Sequence, residues 1–262
     1  MLVSITFDDG NEHQYNAFFP ILEKYGLKGT FYVVTSWIGQ EGFLNWDQLA
    51  KLYSYGSEIG SHTHTHQNLM NLSREALDFE LYTSLMSLSH FDCKTLAYPY
   101  GGYNRLVIDY VKKYYIGARG YFVNNIRYPV LDEINQCYSL FGLATEESSA
   151  SGTMPILDLP LHQFKKEIGR FTKGEADDWI IFVFHGQQVT FRWVLGNIQT
   201  IANRRRSLTV SQVKNSLGKI FGSENKLKKF RWLCEYLANN YNLETVTVSD
   251  GLKKRYCVSR AL

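Results

Sequence analysis

Two histidines four residues apart, His62 and His66 in the run "SHTHTH", have the spacing of a shared metal site. On a helical turn that spacing puts both imidazoles on one side, able to hold one ion. A carboxylate from another part of the chain would complete a two-histidine, one-carboxylate set and leave positions open for water and substrate. The stretch "VSITFDDG" offers that carboxylate. Val3, Ile5 and Phe7 alternate with Ser4 and Thr6, as in a half-buried strand that runs into Asp8, Asp9 and Gly10. Of two adjacent carboxylates, one can bind the metal. The other, left free, can take a proton from a water whose pKa the metal lowers to roughly 7. Strand side chains alternate in direction, so both reach one site only if the strand ends there, and Gly10 permits such a break. His185, after the apolar run "WIIFVF", could protonate a leaving amine. Backbone N–H groups near Tyr100, in "YPYGG", could hold the oxyanion of a tetrahedral intermediate. The assembled set describes metal-assisted hydrolysis of an amide or an ester.

The elements that must position these residues alternate along the chain. "YNAFFPILEKYG" has helical spacing and stops at Gly26, "GTFYVVTSW" is a strand, and "NWDQLAKLYSYG" is a helix with Asn45 as N-cap. "SEIG" is a short strand before the histidines, and Ser73 caps a helix carrying Leu77, Leu81, Leu85 and Leu88 on one face. "TLAYPYGG" is a fourth strand, residues 104–114 a helix, "YIGARGYFV" a fifth strand and "CYSLFGLA" a sixth. A Ser-rich loop covers residues 144–157, a helix about 161–171, and "DWIIFVFHG" reads as a strand covered on both faces. A lid-like insertion is expected at about 187–229, then the helix "FRWLCEYLANN" and a final strand "LETVTV". Repeated βα units predict a parallel sheet with helices outside, open or closed into a barrel. Functional groups then collect at the C-terminal strand ends. Asp8 and Asp9, the histidine cluster, Tyr100 and His185 all fall there, a coincidence that core packing does not explain.

Composition narrows the class. The 262 residues, 45% apolar and 20% charged, suit one large α/β domain or two small ones, and with no linker that splits the chain the expectation is a single domain spanning 1–262. A net charge of +3 without a basic patch or nucleic-acid motif gives no reason to expect nucleic acid as a partner. Cys93, Cys137, Cys234 and Cys257 form no CxxC pair and read as reduced, mostly buried thiols. No apolar run approaches the roughly 18 residues that span a bilayer. The start "MLVSITFDDG" lacks a charged region followed by an apolar one, and the expected compartment is the cytoplasm.

"TFDDG", "SHTHTH", "YPYG" and "VFHG", in this order, resemble the motifs of the NodB-type polysaccharide deacetylases, carbohydrate esterase family 4. The resemblance runs from residue 5 to about 186. It implies a distorted (β/α)7 barrel, a divalent metal (commonly zinc, with cobalt, nickel or manganese as alternatives) and removal of N-acetyl or O-acetyl groups from a sugar or glycan. Carried over by position, Asp9, His62 and His66 would bind the metal, Asp8 would be the general base, His185 the general acid, and Tyr100 would give a backbone N–H to the oxyanion. Thr63 matches the family's Ser/Thr position, and His64 stands at a variable one, outside the ligand set. Two departures are visible. The family often has an Arg, two residues before the third motif's Pro, that tethers the base. Ala97 stands there, with Arg119 as a candidate substitute. The Asp-x-x-Asp-Trp that orients the acidic histidine is not evident near residues 115–127, and "EADDW" (Asp177, Asp178, Trp179) lies at the wrong end of its strand.

Rival readings fit less well. The HxHxDH motif of metallo-β-lactamases needs Asp where Thr65 stands, and an amidohydrolase carries its HxH near the first strand. A non-catalytic, metal-retaining barrel that binds glycans or partners, or a deacylase of a small non-carbohydrate amide, are the alternatives. Retention of Asp8 and His185, neither a metal ligand in this scheme, argues against the first. Trp37, Tyr103 and Trp193 are candidates for sugar stacking, with a structural role favoured for each. Arg204, Arg205 and Arg206 read as a solvated face.

Overall fold

The computed structural model describes residues 1–121, 140–144, 160–173, 179–185 and 225–256. Eight strands carry the architecture: β1 (Leu2–Phe7), β2 (Thr30–Val33), β3 (Glu58–Ser61), β4 (Thr95–Ala97), β5 (Gly117–Tyr121), β6 (Leu140–Ala144), β7 (Trp179–Phe184) and β8 (Glu244–Thr245). β1 pairs along its length with β7 and, at its C-terminal end, with β2 through Thr6–Thr30 and Phe7–Phe31. From β2 the ladder runs through β3, β4, β5 and β6 back to β7, every pairing parallel. Seven strands thus close a ring. Among the described residues, β8 pairs only with the start of β1, through Leu2–Glu244 and Val3–Thr245. β1 therefore has β8 beside its first residues and β2 beside its last, so the seam is split. The result is a distorted (β/α)7 barrel, as expected.

The helices begin where the sequence offers caps. Asn45 caps α2 (Trp46–Ser54) in a reciprocal capping box with Gln48, Ser73 caps α3 (Arg74–Ser87), and Asn104 caps α4 (Arg105–Val111). Helix α1 (Phe19–Lys24) is preceded by a π-turn over Gln14–Phe18, which inserts an extra residue and turns Gln14 inward. Helix α5 (Leu161–Phe171) lies where the periodicity placed it. Helix α6 covers 225–238, and α7 is Val248–Tyr256.

Alternation along the strands sorts residues between the outside and the inside of the ring. Outward go Phe7, Phe31 and Phe184; Phe7 stacks on Phe31, and Phe7 and Phe184 pack with Phe18 and with Phe230 of α6. Much of the aromatic surplus is thus core rather than groove. Inward go Ser4, Thr6, Thr30, Tyr32, Glu58, Thr95 and Arg119, all buried. Gly60 faces inward too, where a Cβ would sit 2.5 Å from the Tyr32 ring, so glycine makes room for that ring. Glu58 accepts from Thr30 Oγ1 (3.1 Å), Thr95 Oγ1 (2.5 Å) and the Ser249 N–H (2.9 Å), which fixes the start of α7 under the barrel.

Three expectations change. The final strand is only Glu244–Thr245, because Thr247 Oγ1 accepts the Asp250 N–H and starts α7 instead. Helix α6 begins at 225, inside the stretch read as an insertion, of which 187–224 lies outside the described residues. Residues 62–66 are not helical: the two histidines are brought together by a tight turn in which Thr63 (φ 68) and His66 (φ 62) are left-handed. Cys137, Cys257, Trp193, Asp177, Asp178 and Arg204–Arg206 also lie outside the described residues, whereas Cys93 and Cys234 are free and buried.

Candidate active site

Two strands deliver the central side chains by simple continuation. On β1 the inward positions are Ser4, Thr6 and then Asp8; on β3 they are Glu58, Gly60 and then His62. Asp8 and His62 are accordingly buried, at 0% and 2% exposure. Asp9 would point away if the strand continued. It has φ 73 instead, followed by Gly10 at φ 73, and this left-handed pair swings its carboxylate back over the barrel mouth. At Gly10 a Cβ would meet Val33 Cγ1 at 3.0 Å, so the break is specific to glycine. Among the described residues, four of the five non-glycine residues with positive φ (Asp9, Thr63, His66 and Tyr100) belong to this site; the fifth is Asp92. Backbone strain of that kind persists where the surroundings over-determine it.

Asp9, His62 and His66 converge. Asp9 Oδ1 lies 3.5 Å from His62 Nε2 and 3.4 Å from His66 Nε2, and the two Nε2 atoms are 3.2 Å apart. Arms of about 2.0–2.1 Å at a tetrahedral angle span edges of about 3.3–3.4 Å, so the three atoms already have the separation of ligands around one ion. The Ala97 carbonyl can only accept, so His62 Nδ1, 2.8 Å away, carries a proton and directs Nε2 at the cluster. Burial pushes Asp9 up, but its hydrogen bond to His62 and the charges of His62, His185 and His66 outweigh that and hold it at about 2. Burial and the neighbouring His62 push His66 down to about 4, which leaves its nitrogen unprotonated at neutral pH. Burial also opposes a charge on His62, yet Asp9 and Asp8 raise its pKa overall. A donor set that gathers a carboxylate and two imidazoles this tightly fits a divalent cation.

Asp8 sits beside this cluster with a different partner. Its Oδ1 is ion-paired with Arg119 Nη2, and both side chains are fully buried. Oδ2 is buried with no hydrogen-bond partner among the described residues. Arg119 is the cross-strand partner of Ala97 in the β4–β5 ladder. Side chains at paired positions leave the same face of a sheet, so the guanidinium that the third motif lacks is supplied one strand away, where alanine leaves room. The Arg119 guanidinium also lies 4.8 Å from the centre of the Tyr32 ring.

Sequence reasoning missed Gln14. Fully buried, it donates through Nε2 to the carbonyls of Asp8 (2.5 Å) and His185 (2.7 Å) and so clamps the ends of β1 and β7 together. Asn11 Nδ2 reaches the same His185 carbonyl at 3.3 Å, and the Asp8 N–H donates to the Phe184 carbonyl at 2.8 Å. The His185 side chain lies near enough to Asp9 and His66 to act electrostatically on both. Tyr100 has φ 59 in the turn after β4, with its ring 54% exposed and 4.8 Å from that of His66. The ring of half-buried Trp37 lies 5.2 Å from that of His66. Tyr103 is buried, its ring stacked on that of Tyr98. His64 stays out of the cluster, with Nδ1 2.9 Å from Thr35 Oγ1, while Thr63 Oγ1 accepts the His66 N–H at 3.1 Å and braces the turn. Trp179 starts β7 at the far end of the barrel, bonded to Ser4 Oγ at 3.1 Å, as its position in the sequence implied.

Residues 1–118 match the family model described as polysaccharide deacetylase. The poly-beta-1,6-N-acetyl-D-glucosamine N-deacetylase of Staphylococcus aureus (strain MRSA252) is 34% identical over 128 residues, which is 42% of this chain and 44% of that protein. The chain spans less than half the length of the curated relatives it matches. Among solved structures, the family 4 carbohydrate esterase from Streptomyces lividans in complex with acetate superposes with a TM-score of 0.58 at 14% identity, covering 95% of each chain. The family 4 acetyl xylan esterase from Clostridium thermocellum in complex with a cobalt ion gives 0.53 at 17% identity, covering 97% of this chain and 91% of that one. At these identities the structural likenesses speak for the barrel alone. No helix among the described residues is long and apolar enough to cross a membrane.

Proposed function

We propose that this chain, whose residues 1–118 match the polysaccharide deacetylase model, is a NodB-type deacetylase: a metal-dependent hydrolase that removes N-acetyl groups from a glycan. The observation that carries the reading is the division of labour between the adjacent carboxylates. Asp9 converges with His62 and His66, while Asp8 keeps a buried oxygen that has no hydrogen-bond partner among the described residues.

Asp9, His62 and His66 would hold the ion, with zinc the first choice for one carboxylate and two imidazoles and cobalt the second. A divalent cation there supplies Lewis-acid activation of water and of the acyl carbonyl. The rest falls to the chain. Asp8, tied through Oδ1 to Arg119, takes the proton of the attacking water on Oδ2. The Arg119 pairing matters because a buried carboxylate without a counter-charge is costly to keep ionised. Tyr100, in its left-handed turn, offers its backbone N–H to the oxyanion. His185, held by the Gln14 and Asn11 contacts to its carbonyl, gives a proton to the departing amine. The role of the absent third-motif arginine passes to Arg119.

The N-acetylglucosamine polymer named for the Staphylococcus aureus relative sets the first substrate to try. The test is acetate release from N-acetylated β-1,6-glucosamine oligomers, with O-acetylated xylan and small acetamides in parallel. Activity on the oligomers that disappears in Asp8→Asn supports the assignment. Silence on the whole panel, with metal bound, favours the non-catalytic barrel. Activity intact in Asp8→Asn removes Asp8 as base.

A further inference from the structure

The turn that carries the two histidine ligands is held from behind by a carboxylate outside the four motifs. Glu80, on α3, is 3% exposed. Its Oε2 accepts the backbone N–H groups of His64 (2.9 Å) and Thr65 (2.8 Å), and its Oε1 accepts Thr65 Oγ1 (2.5 Å). All three donors lie between His62 and His66. One helical turn further along α3, Ser84 Oγ bonds Ser61 Oγ (2.8 Å), which accepts the Thr63 N–H (3.1 Å). From the opposite side, the N–H groups of Thr35 and Ser36 reach the carbonyls of Thr63 (3.2 Å) and His64 (3.0 Å).

This cage has a reason. Thr63 and His66 both hold left-handed backbone conformations, which persist only where contacts impose them. The backbone N–H groups of His64 and Thr65 have Glu80 as their acceptor. A buried carboxylate accepting two amides makes strong, charge-assisted bonds. It also places a negative charge directly behind the turn that presents the ligands, which favours a cation in front of it.

We infer that Glu80 is a positioning residue for the metal cluster: its three bonds to His64 and Thr65 set the separation of the His62 and His66 nitrogens, and with it metal affinity and coordination geometry. The inference rests on the metal reading proposed above. An isosteric Glu80→Gln keeps one oxygen for the two amides and turns an NH2 toward Thr65 Oγ1, so it removes mainly charge. Glu80→Ala removes the brace.

The experiment is titration of the metal-free protein with Co2+, reading affinity and the visible absorption bands, which report coordination geometry. Glu80→Ala is expected to weaken Co2+ binding by about 10–100-fold and to alter the bands. Glu80→Gln is expected to lose about 3–10-fold while staying folded. Val111→Ala, in the core of α4 at 0% exposure, is the comparison, expected to lose stability with unchanged Co2+ affinity and spectrum. If Glu80→Ala does not fold, Glu80→Gln decides. Affinity and spectrum unchanged in the Glu80 variants that fold, or altered no more than in Val111→Ala, would overturn the inference. Equal Co2+ binding by wild type and His66→Ala would instead remove the metal reading itself.

Discussion

Replacing Arg119 with methionine leaves Asp8 buried at 0% exposure with its counter-charge gone. Removing one partner of a buried pair costs about 3–5 kcal/mol, most of it the penalty of an uncompensated charge rather than the worth of the bond. Loss of the contact with the Tyr32 ring, 4.8 Å from the guanidinium, adds about 0.5–2 kcal/mol. Urea unfolding of Arg119→Met at neutral pH should therefore show a loss of about 3.5–7 kcal/mol. The second half of the cycle isolates the charge. Asp8→Asn in the Arg119→Met background removes the unpaired carboxylate, so the double variant should be more stable than Arg119→Met alone by about 2 kcal/mol or more. A transposition tests geometry. Because Ala97 and Arg119 are cross-strand partners about 4.8 Å apart on one face, Ala97→Arg combined with Arg119→Ala should recover part of both stability and deacetylation. The reasoning is refuted if Arg119→Met costs under about 1 kcal/mol, or if adding Asp8→Asn destabilises it further.

Other consequences can be checked separately. Gln14→Leu removes the clamp on the Asp8 and His185 carbonyls and should cost about 1–3 kcal/mol in urea unfolding. It should lower kcat more than it raises KM. Burial raises the pKa of Glu58 above its ordinary 4.5. The folded state therefore holds a proton that the unfolded state has released, and stability falls as pH rises from about 4.5 through the folded value. In Glu58→Gln, unfolding free energies measured across pH 4 to 8 should lose that decline, and an unchanged slope would show that Glu58 does not titrate there. Gly10→Ala forces a side chain into φ 73 with its Cβ 3.0 Å from Val33 Cγ1, and should cost about 1–3 kcal/mol together with most of the activity. Asn45→Ala removes the α2 cap and should cost about 1 kcal/mol while leaving activity untouched, a control for effects away from the site.

Where function is carried by local signals, the sequence was readable. The alternation of β1 leads to Asp8, the caps of α2 and α3 are the residues that the pattern nominates, and the three side chains that converge are those the motifs point to. Where function depends on register, it was not. Arg119 stood only as a candidate, because nothing local says that β4 and β5 pair Ala97 with it. Gln14 was hidden by a π-turn that reads as ordinary helix. Glu80 resembled one more charge on an amphipathic helix, although its side chain is buried. The four-residue spacing of His62 and His66 suggested a helical turn, whereas left-handed residues do the same work in a tighter one. The start of α7 had a visible signal, Thr247 three residues before Asp250, outweighed by the β-branched run "TVTV".

The central claim is that one divalent ion held by Asp9, His62 and His66 works with Asp8 as base. Its most direct test is acetate release from N-acetylated β-1,6-glucosamine oligomers by metal-stripped protein titrated with Zn2+. The prediction is no release without metal, a rise that saturates at one equivalent, and no recovery at any equivalent in His66→Ala or Asp8→Asn. Full release by the stripped protein, or by Asp8→Asn once metal is restored, would contradict it.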